Sequence, residues 1–251
     1  MLKRVFLGVV SVLALSAVSV HADPKDDIKS AVQKLADSPN YSWSTTIQGG
    51  FGRGPQEGKT EKGGYTSLTI QMRDNSFDAI IKGDKAAIKT DSGWKSAAEI
   101  LAEPVDAGGP PPPEFRAAMV AQNSKTPAGQ AQDNLDSLQN IQKTDDGYTA
   151  DLTADAAKTL LQFGPRRPRP TTSPDGDTGT PPPQFEVSDA KGTLKLAVKD
   201  GNLTQIEFHL TGTVSFNGND RDVDRTVTTD IKDVGTTKVE VPDEAKAKLS
   251  S

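Results

Sequence analysis

Side chains that perform covalent chemistry are scarce in this sequence. The chain contains no cysteine, and of its two histidines only His209 lies beyond the first 22 residues. Thiol catalysis is therefore excluded, and so is a zinc site built on several histidine or cysteine ligands. No Gly-x-Ser-x-Gly turn is present to hold a serine nucleophile. His209 alternates with Glu207 and Thr211 along a strand-like segment, which predicts a surface histidine.

Three aspartates form the most regular acidic pattern. Asp220, Asp222 and Asp224 alternate with two arginines and a valine, so in an extended chain they point to the same side. Such a row has the oxygen ligands that Ca²⁺ prefers. The segment lacks the EF-hand spacing, and the arginines offset its charge. We therefore predict a solvated hairpin end without a metal. A pair of carboxylates that meet only in space, as in glycosidases, remains the enzymatic alternative.

A glycine-rich stretch resembles a phosphate-binding loop only in its number of glycines. No Gly-Lys-Ser/Thr sequence follows these glycines, and no helix start does. We predict a flexible connection over residues 49–64, with at most a weak edge strand. The glycines concerned are Gly49, Gly50, Gly52 and Gly54.

A small basic cluster lies among prolines at Arg166, Arg167 and Arg169. It suits contact with anionic headgroups or an acidic partner, but a solvated loop is the favoured interpretation. The whole chain has a net charge of −5. An acidic chain does not favour nucleic acid, whose phosphates attract a basic surface.

The N-terminus has the pattern of a secretory signal peptide. Lys3 and Arg4 precede an apolar run of about 16 residues, shorter than the roughly 20 that span a bilayer. The run ends in Val20-His21-Ala22, with small residues where signal peptidase cuts, and a strongly polar segment follows. We predict that residues 1–22 are removed on export and that the protein is periplasmic or secreted.

The elements that must position any site follow from hydrophobic periodicity. Ile28, Val32 and Leu35 recur at helical spacing. Alternation predicts strands at residues 41–47, 65–73, 76–81, 85–90 and 147–152. Helices are predicted at residues 96–103, from Pro113, at 128–138 and at 154–163, the last with Thr153 as N-cap.

The last third of the chain is the most regular. Asp200-Gly201 is a tight-turn signal between strands at residues 192–198 and from Asn202 onward. The second of these strands carries Ile206, Phe208, Leu210, Val214 and Phe216 on one face. A further strand is predicted over residues 222–234, residues 238–241 end the sheet, and Pro242 begins a closing turn or helix.

These patterns predict an α+β fold with a large antiparallel sheet, because the strands are amphipathic and joined by tight turns. Short helices would cover the apolar face of the sheet. Residues 23–251 are expected to form a single domain with proline-rich loops near 104–113 and 165–183. A division into two domains near Pro110 is the alternative.

The order of elements, together with one C-terminal stretch, resembles the lipoprotein-carrier superfamily. The stretch is Thr226-Val227-Thr228-Thr229-Asp230-Ile231-Lys232-Asp233-Val234-Gly235, followed by Val239-Glu240-Val241-Pro242. A short helix ahead of the strand that begins at Tyr41 is also similar. The superfamily includes LolA, LolB and the LppX- and LprG-like lipid-binding proteins.

The resemblance implies an incomplete barrel, formed by a curved sheet and covering helices around an apolar cavity. Such a cavity binds the acyl chains of a lipid or lipoprotein without catalysis and without a cofactor. Apolar residues that alternate along the predicted strands are then the candidates for lining this cavity. They are Trp43, Leu68, Ile70, Phe208, Leu210 and Val214. The same alternation also builds an ordinary packed core.

Two other functions remain open at this point. The protein is alternatively an extracytoplasmic structural or protein-interaction module without a small ligand, or an enzyme with a carboxylate-only site. No nucleic-acid partner and no integral membrane segment beyond the leader are expected, and the protein partner, if any, is undetermined.

Overall fold

The computed structural model describes most of the chain that follows the predicted signal peptide. Residues 1–22, the predicted loop at 165–183 and its arginine cluster lie outside the described residues. No helix within the described portion is long and apolar enough to cross a membrane. The described residues are 23–49, 56–72, 75–105, 111–162, 185–216 and 218–250.

Six helices are present in the described residues. They are α1 (Pro24–Asp37), α2 (Ala97–Ala102), α3 (Pro113–Asn123), α4 (Pro127–Asn134), α5 (Ala154–Leu161) and α6 (Asp243–Ser250).

Side-chain caps explain where several helices begin. The Asp23 side chain accepts from the Lys25 N–H at 2.9 Å, ahead of α1. Ser96 and Glu99 form a reciprocal capping box on α2. The predicted cap Thr153 accepts from the Ala156 N–H at the start of α5.

In the part of the chain that the structure describes, eleven strands form one antiparallel sheet. They are β1 (Asn40–Gly49), β2 (Gln56–Glu61), β3 (Thr66–Met72), β4 (Asn75–Lys82), β5 (Lys85–Thr90), β6 (Gly93–Ser96), β7 (Leu138–Thr144), β8 (Gly147–Leu152), β9 (Phe185–Lys199), β10 (Asn202–Phe216) and β11 (Asn219–Lys232). Their order across the sheet is β6-β5-β4-β3-β2-β1-β11-β10-β9-β8-β7. The predicted α+β class with a large antiparallel sheet that does not close into a barrel is therefore confirmed.

The two halves of the chain meet in the middle of the sheet. β1 pairs with β11, with Trp43 opposite Ile231 and Ile47 opposite Val227. Within each half, strands that are consecutive in the sequence lie next to each other in the sheet. The β9–β10 hairpin turns at Asp200 and Gly201, both with positive φ, as the Asp-Gly signal predicts.

One face of the sheet, which we call the inner face, carries a continuous apolar core. Residues from α1 to α5 pack into it, with Ile28 and Val32 of α1 and Ala117 of α3 fully buried. Two hydrogen bonds fasten the helices to the strands. Tyr148 of β8 donates to the Asp27 carboxylate at 2.8 Å, and the Ala128 N–H of α4 donates to the Tyr41 hydroxyl at 3.4 Å.

The opposite, outer face is covered at one end by α6. Ala245 and Leu249 of α6 pack on Ile80 of β4 and Ala87 of β5 in a second, smaller apolar cluster. Lys248 of α6 also pairs with Glu99 of α2 at 3.0 Å. Helices therefore enclose the β6 edge of the sheet from both faces, whereas the sequence predicts a cover on one face only.

Residues 56–61 correct the prediction of a loop or weak edge strand. Their sequence, Gln-Glu-Gly-Lys-Thr-Glu, has low strand propensity, yet β2 lies inside the sheet between β1 and β3. Pairing on both sides supplies the backbone hydrogen bonds that this sequence would not secure alone. Residues 50–55 lie outside the described residues.

The predicted helix over residues 128–138 is too long. The helix ends at Asn134, a single 3₁₀ turn follows over Leu135–Ser137, and Leu138 begins β7. β7 is an edge strand with mostly exposed side chains. An exposed edge strand lacks the strong alternation that identifies a half-buried strand in a sequence.

The ends of the C-terminal strands also differ from the prediction. Residues 233–242 form no strand, whereas the predicted closing turn or helix is present as α6, which begins at Asp243. Phe216 has the predicted phase, but its side chain is 52 % exposed because it lies at the end of β10, beyond the packed helices.

Candidate functional site

The six predicted cavity-lining residues all lie on the inner face. None has more than 5 % of its surface exposed, and all belong to one continuous apolar cluster. The structure thus brings together Trp43, Leu68, Ile70, Phe208, Leu210 and Val214 as buried residues. Their role in holding a ligand stays a prediction.

Different helices cover different parts of this face. α3 packs on β3, β4 and β5, so Leu68 and Ile70 lie in the part beneath α3. α5 packs on β9 and β10, and α1 packs on β10. Phe208, Leu210 and Val214 therefore lie in the other part, on β10.

Close packing beneath α5 is visible at Gly192. A Cβ atom added there would lie 2.8 Å from Leu210 Cδ2 and 2.9 Å from Leu152 Cδ1. The Ala157 methyl group of α5 would be 3.4 Å away. The inner face is filled by side chains at this point, as in an ordinary core.

Trp43 occupies the place that a side chain on β2 would take. Gly58 is its neighbour across the strands, and a Cβ atom at Gly58 would lie 2.1 Å from Cζ2 of the indole. Tyr41 packs beside the indole with ring centroids 5.8 Å apart. Gly58 is therefore required for the position of Trp43.

The contact surface of α3 consists largely of small side chains. Ala117, Ala118 and Ala121 are fully buried, and Phe115 and Met119 supply the larger groups. Alanine makes few dispersion contacts compared with leucine. Methyl groups therefore make up much of the surface that α3 presents to the sheet.

A pocket of about 280 Å³ lies at the N-terminal end of α3. We call it the α3 pocket. It is formed by the β5–β6 turn, the end of α2 and the start of α3. Its lining residues are Thr90, Asp91, Ser92, Lys95, Ile100, Glu103, Pro104, Val105, Pro112, Glu114 and Phe115.

The α3 pocket combines an apolar floor with a charged rim. Ile100 and Phe115 are buried beneath it. On the rim, the Lys95 ammonium is 2.9 Å from the Glu103 carboxylate. The hydrogen bond that Lys95 donates to Glu103, with further attraction to Glu99 and Glu114, raises the pKa of Lys95. Lys95 is therefore held in its charged form.

A second, smaller pocket of about 130 Å³ lies at the C-terminal end of α3. Its walls include Leu68 and Ile81 of the sheet, and Ser124 and Thr126 of the segment between α3 and α4. Leu68 is thus the predicted site residue that lines one of the two described pockets.

Arg225 is an inner-face residue that was not predicted from the sequence. It lies opposite Leu210 and in phase with Val223 and Val227. Its Nη2 donates a hydrogen bond of 2.7 Å to the Leu160 carbonyl oxygen. The alternation of Arg225 with Val223 and Val227 is the sequence pattern that could have identified it. A charged residue in an apolar row requires a specific partner.

The groups considered for catalysis or metal binding lie on the outer face. His209 Nε2 is 2.9 Å from Asp224 Oδ1, and the Thr213 hydroxyl donates to Asp222 at 2.9 Å. The His209 side chain is 43 % exposed, as expected for a surface histidine. The described residues contain no group of three or more histidine, aspartate or glutamate side chains placed to hold a metal ion.

No protein-family model matches this chain, and no curated protein matches it. Two mycobacterial proteins are among the solved structures that are similar. The lipoprotein LppX from Mycobacterium tuberculosis has a TM-score of 0.46 and 11 % identity, covering 87 % of this chain and 98 % of LppX. LprF from Mycobacterium bovis has a TM-score of 0.42 and 11 % identity, covering 88 % of this chain and 97 % of LprF.

At this level of similarity the function has to be inferred from the contacts and charges of the chain itself.

Proposed function

We propose that this protein binds the acyl chain of a lipid or of an acylated protein between α3 and the inner face of the sheet, without covalent chemistry. The observation that carries the proposal is the construction of α3, a helix with an alanine contact surface and a pocket at each end. The predicted signal peptide supports a location outside the cytoplasm.

The dimensions are consistent with an extended acyl chain. α3 has 11 residues and is therefore about 16 Å long. If α3 moves away from the sheet, the two pockets become the ends of one channel. Its floor would consist of apolar residues of β3, β4 and β5, among them Leu68, Ile70, Phe77 and Ile88.

Burial of an acyl chain would offset part of the contacts that are lost when α3 moves away from the sheet. Each buried methylene group of such a chain contributes about 0.8 kcal/mol. The methyl groups of Ala117, Ala118 and Ala121 make only weak dispersion interactions with the sheet, and the methylene groups of a ligand can replace them. Of the six predicted lining residues, Leu68 and Ile70 are the ones beneath α3.

A protein-interaction module without a small ligand is the second candidate. The observation that favours it is the tight packing around Gly192 and Leu210, which resembles a filled core rather than a cavity. In that case the helices are permanent parts of the core, and the function resides on an outer surface.

Ligand binding separates the two candidates. Lipids that co-purify with the protein should be identified by mass spectrometry, and a fluorescent fatty-acid analogue should be titrated into delipidated protein. The proposal predicts that Ala118→Leu, which fills space beneath α3, weakens analogue binding about tenfold. The control Ala98→Leu makes the same change at an exposed site on α2 and should bind normally.

Thermal unfolding of both variants verifies that each is folded. Equal binding by wild type and Ala118→Leu would contradict a site beneath α3. Absence of any analogue binding and of any co-purified lipid would favour the interaction module.

Movement of α3 can be observed directly, because the chain has no cysteine. A single cysteine at the exposed Gln122 of α3 carries an environment-sensitive dye, and one at the exposed Lys29 of α1 serves as the control. The proposal predicts a ligand-dependent change at Gln122 and none at Lys29.

A further inference from the structure

We infer that the α3 pocket holds the polar head of the ligand and selects a cationic head, such as an alkylammonium group, over an anionic one. This inference rests on the proposed function, since the head and the acyl chain belong to one ligand.

The pocket is apolar at its inner end and charged at its opening, so it would orient a ligand that has one apolar end and one polar end. Ile100, Val105 and Phe115 form the part nearest the core, and the charged side chains surround the opening. An amphiphile would therefore enter with its chain toward α3 and the sheet, and its head would stay at the rim.

The charges at the rim decide which head fits. Asp91, Glu103 and Glu114 contribute carboxylates, and Lys95 is the basic side chain of the lining. Lys95 already pairs with Glu103 at 2.9 Å. The remaining formal charge around the opening is therefore negative, and it comes from Asp91 and Glu114.

Coulomb interactions at such short range change affinity measurably. A unit charge about 4 Å from an opposite charge gains energy even in water, and gains more where protein excludes part of the solvent. A carboxylate or phosphate head would face repulsion from Asp91 and Glu114. An ammonium head would be attracted to the same residues without displacing Lys95 from Glu103.

The test compares two ligands of equal chain length, an alkyltrimethylammonium and an alkyl carboxylate, each below its critical micelle concentration. Isothermal titration calorimetry of each ligand with the wild-type protein measures both affinities directly. We expect the ammonium ligand to bind about tenfold more tightly at low salt. Added salt should reduce this preference, because screening weakens the attraction.

The double variant Asp91→Asn/Glu114→Gln removes the negative charge and keeps the Lys95–Glu103 pair. It should lose most of the preference for the ammonium ligand. Glu57→Gln, which removes an exposed carboxylate from β2, is the matched control and should keep the preference.

Three results distinguish the inference from the proposed function. If the carboxylate binds as tightly as the ammonium ligand, or if the double variant keeps the full preference, the inference is overturned while acyl-chain binding stands. If neither ligand binds and the analogue does not bind either, the proposed function fails and the inference fails with it.

Discussion

Nη2 of Arg225 on β11 donates a 2.7 Å hydrogen bond to the carbonyl oxygen of Leu160 in the last turn of α5. The last carbonyl groups of a helix have no partner within the helix, and its C-terminus carries partial negative charge. The Arg225 guanidinium therefore supplies both a hydrogen-bond donor for such a carbonyl group and a positive charge beside the helix C-terminus. This contact fastens α5 to the centre of the sheet, where the two halves of the chain meet.

Arg225→Gln should lower the free energy of unfolding by about 1–3 kcal/mol, because a hydrogen bond with a charged donor is lost in a partly buried place. Urea denaturation measures this change. Hydrogen exchange should also accelerate at the amides near the end of α5. Lys232→Gln, an exposed change on the same strand, should alter neither quantity. An unchanged denaturation midpoint for Arg225→Gln would show that the contact does not hold α5.

Gly58→Ala should destabilise the protein by about 1–3 kcal/mol, the usual cost of forcing an extra methyl group into a packed core. The new Cβ atom would overlap the Trp43 indole, which must move. Tryptophan fluorescence should shift together with the denaturation midpoint. Lys59→Ala, at the exposed neighbouring position, should leave both signals close to wild type.

The pair Glu99–Lys248 gives a prediction of pH dependence. The Ser96 N–H and the Lys248 ammonium lower the pKa of Glu99. The carboxylate therefore adds stability that is fully present above its ordinary pKa and is lost as the pH falls through the lower folded value. Glu99→Gln should thus reduce the melting temperature at neutral pH, and the difference should disappear in acid.

Differential scanning calorimetry across this pH range tests the pair. Glu57→Gln serves as the control, since Glu57 lies in β2, away from α2 and α6. A difference between Glu99→Gln and wild type that persists unchanged in acid would mean that the charge of Glu99 is not its cause.

Leu68→Ala and Leu210→Ala form a matched pair, because both residues are 2 % exposed on the inner face. Each should cost about 2–5 kcal/mol if its surroundings are tightly filled. A site beneath α3 predicts that Leu68→Ala changes analogue binding, whereas Leu210→Ala lowers stability and leaves affinity unchanged. The reverse pattern would place the ligand beneath α5, and loss of stability without any binding would favour the interaction module.

Intact mass spectrometry tests the prediction that residues 1–22 are removed. Protein expressed with its leader and recovered from the extracytoplasmic fraction should begin at Asp23. A mass that still includes Met1 to Ala22 would contradict cleavage at this site.

Local patterns in the sequence were sufficient for the elements with strong periodicity and clear ends. Examples are α1 with its apolar stripe, α5 with its Thr153 cap, and the β9–β10 hairpin with its Asp-Gly turn. Each depends on neighbours within a few residues, so the sequence determines them directly. Composition likewise excluded thiol chemistry, since the chain has no cysteine.

Other elements depend on partners that are distant in the sequence. β2 is a strand because β1 and β3 pair with it, and Gly58 is present because Trp43 lies across the strands. β7 is an exposed edge, so its side chains carry little periodic signal. Nothing local to β4 identified α6 as the cover of Ile80 on the outer face.

The candidate site was likewise predicted in part from local sequence patterns and in part decided only by the tertiary structure. Alternation along β3 and β10 was enough to place Leu68, Ile70, Phe208, Leu210 and Val214 on the apolar face, because side chains on a strand alternate with a period of two. Only the tertiary structure decided that different helices cover the two groups and that the α3 pocket gathers Lys95, Glu103 and Glu114. Those neighbours come from β6, the residue after α2, and α3, and packing in three dimensions sets their distances.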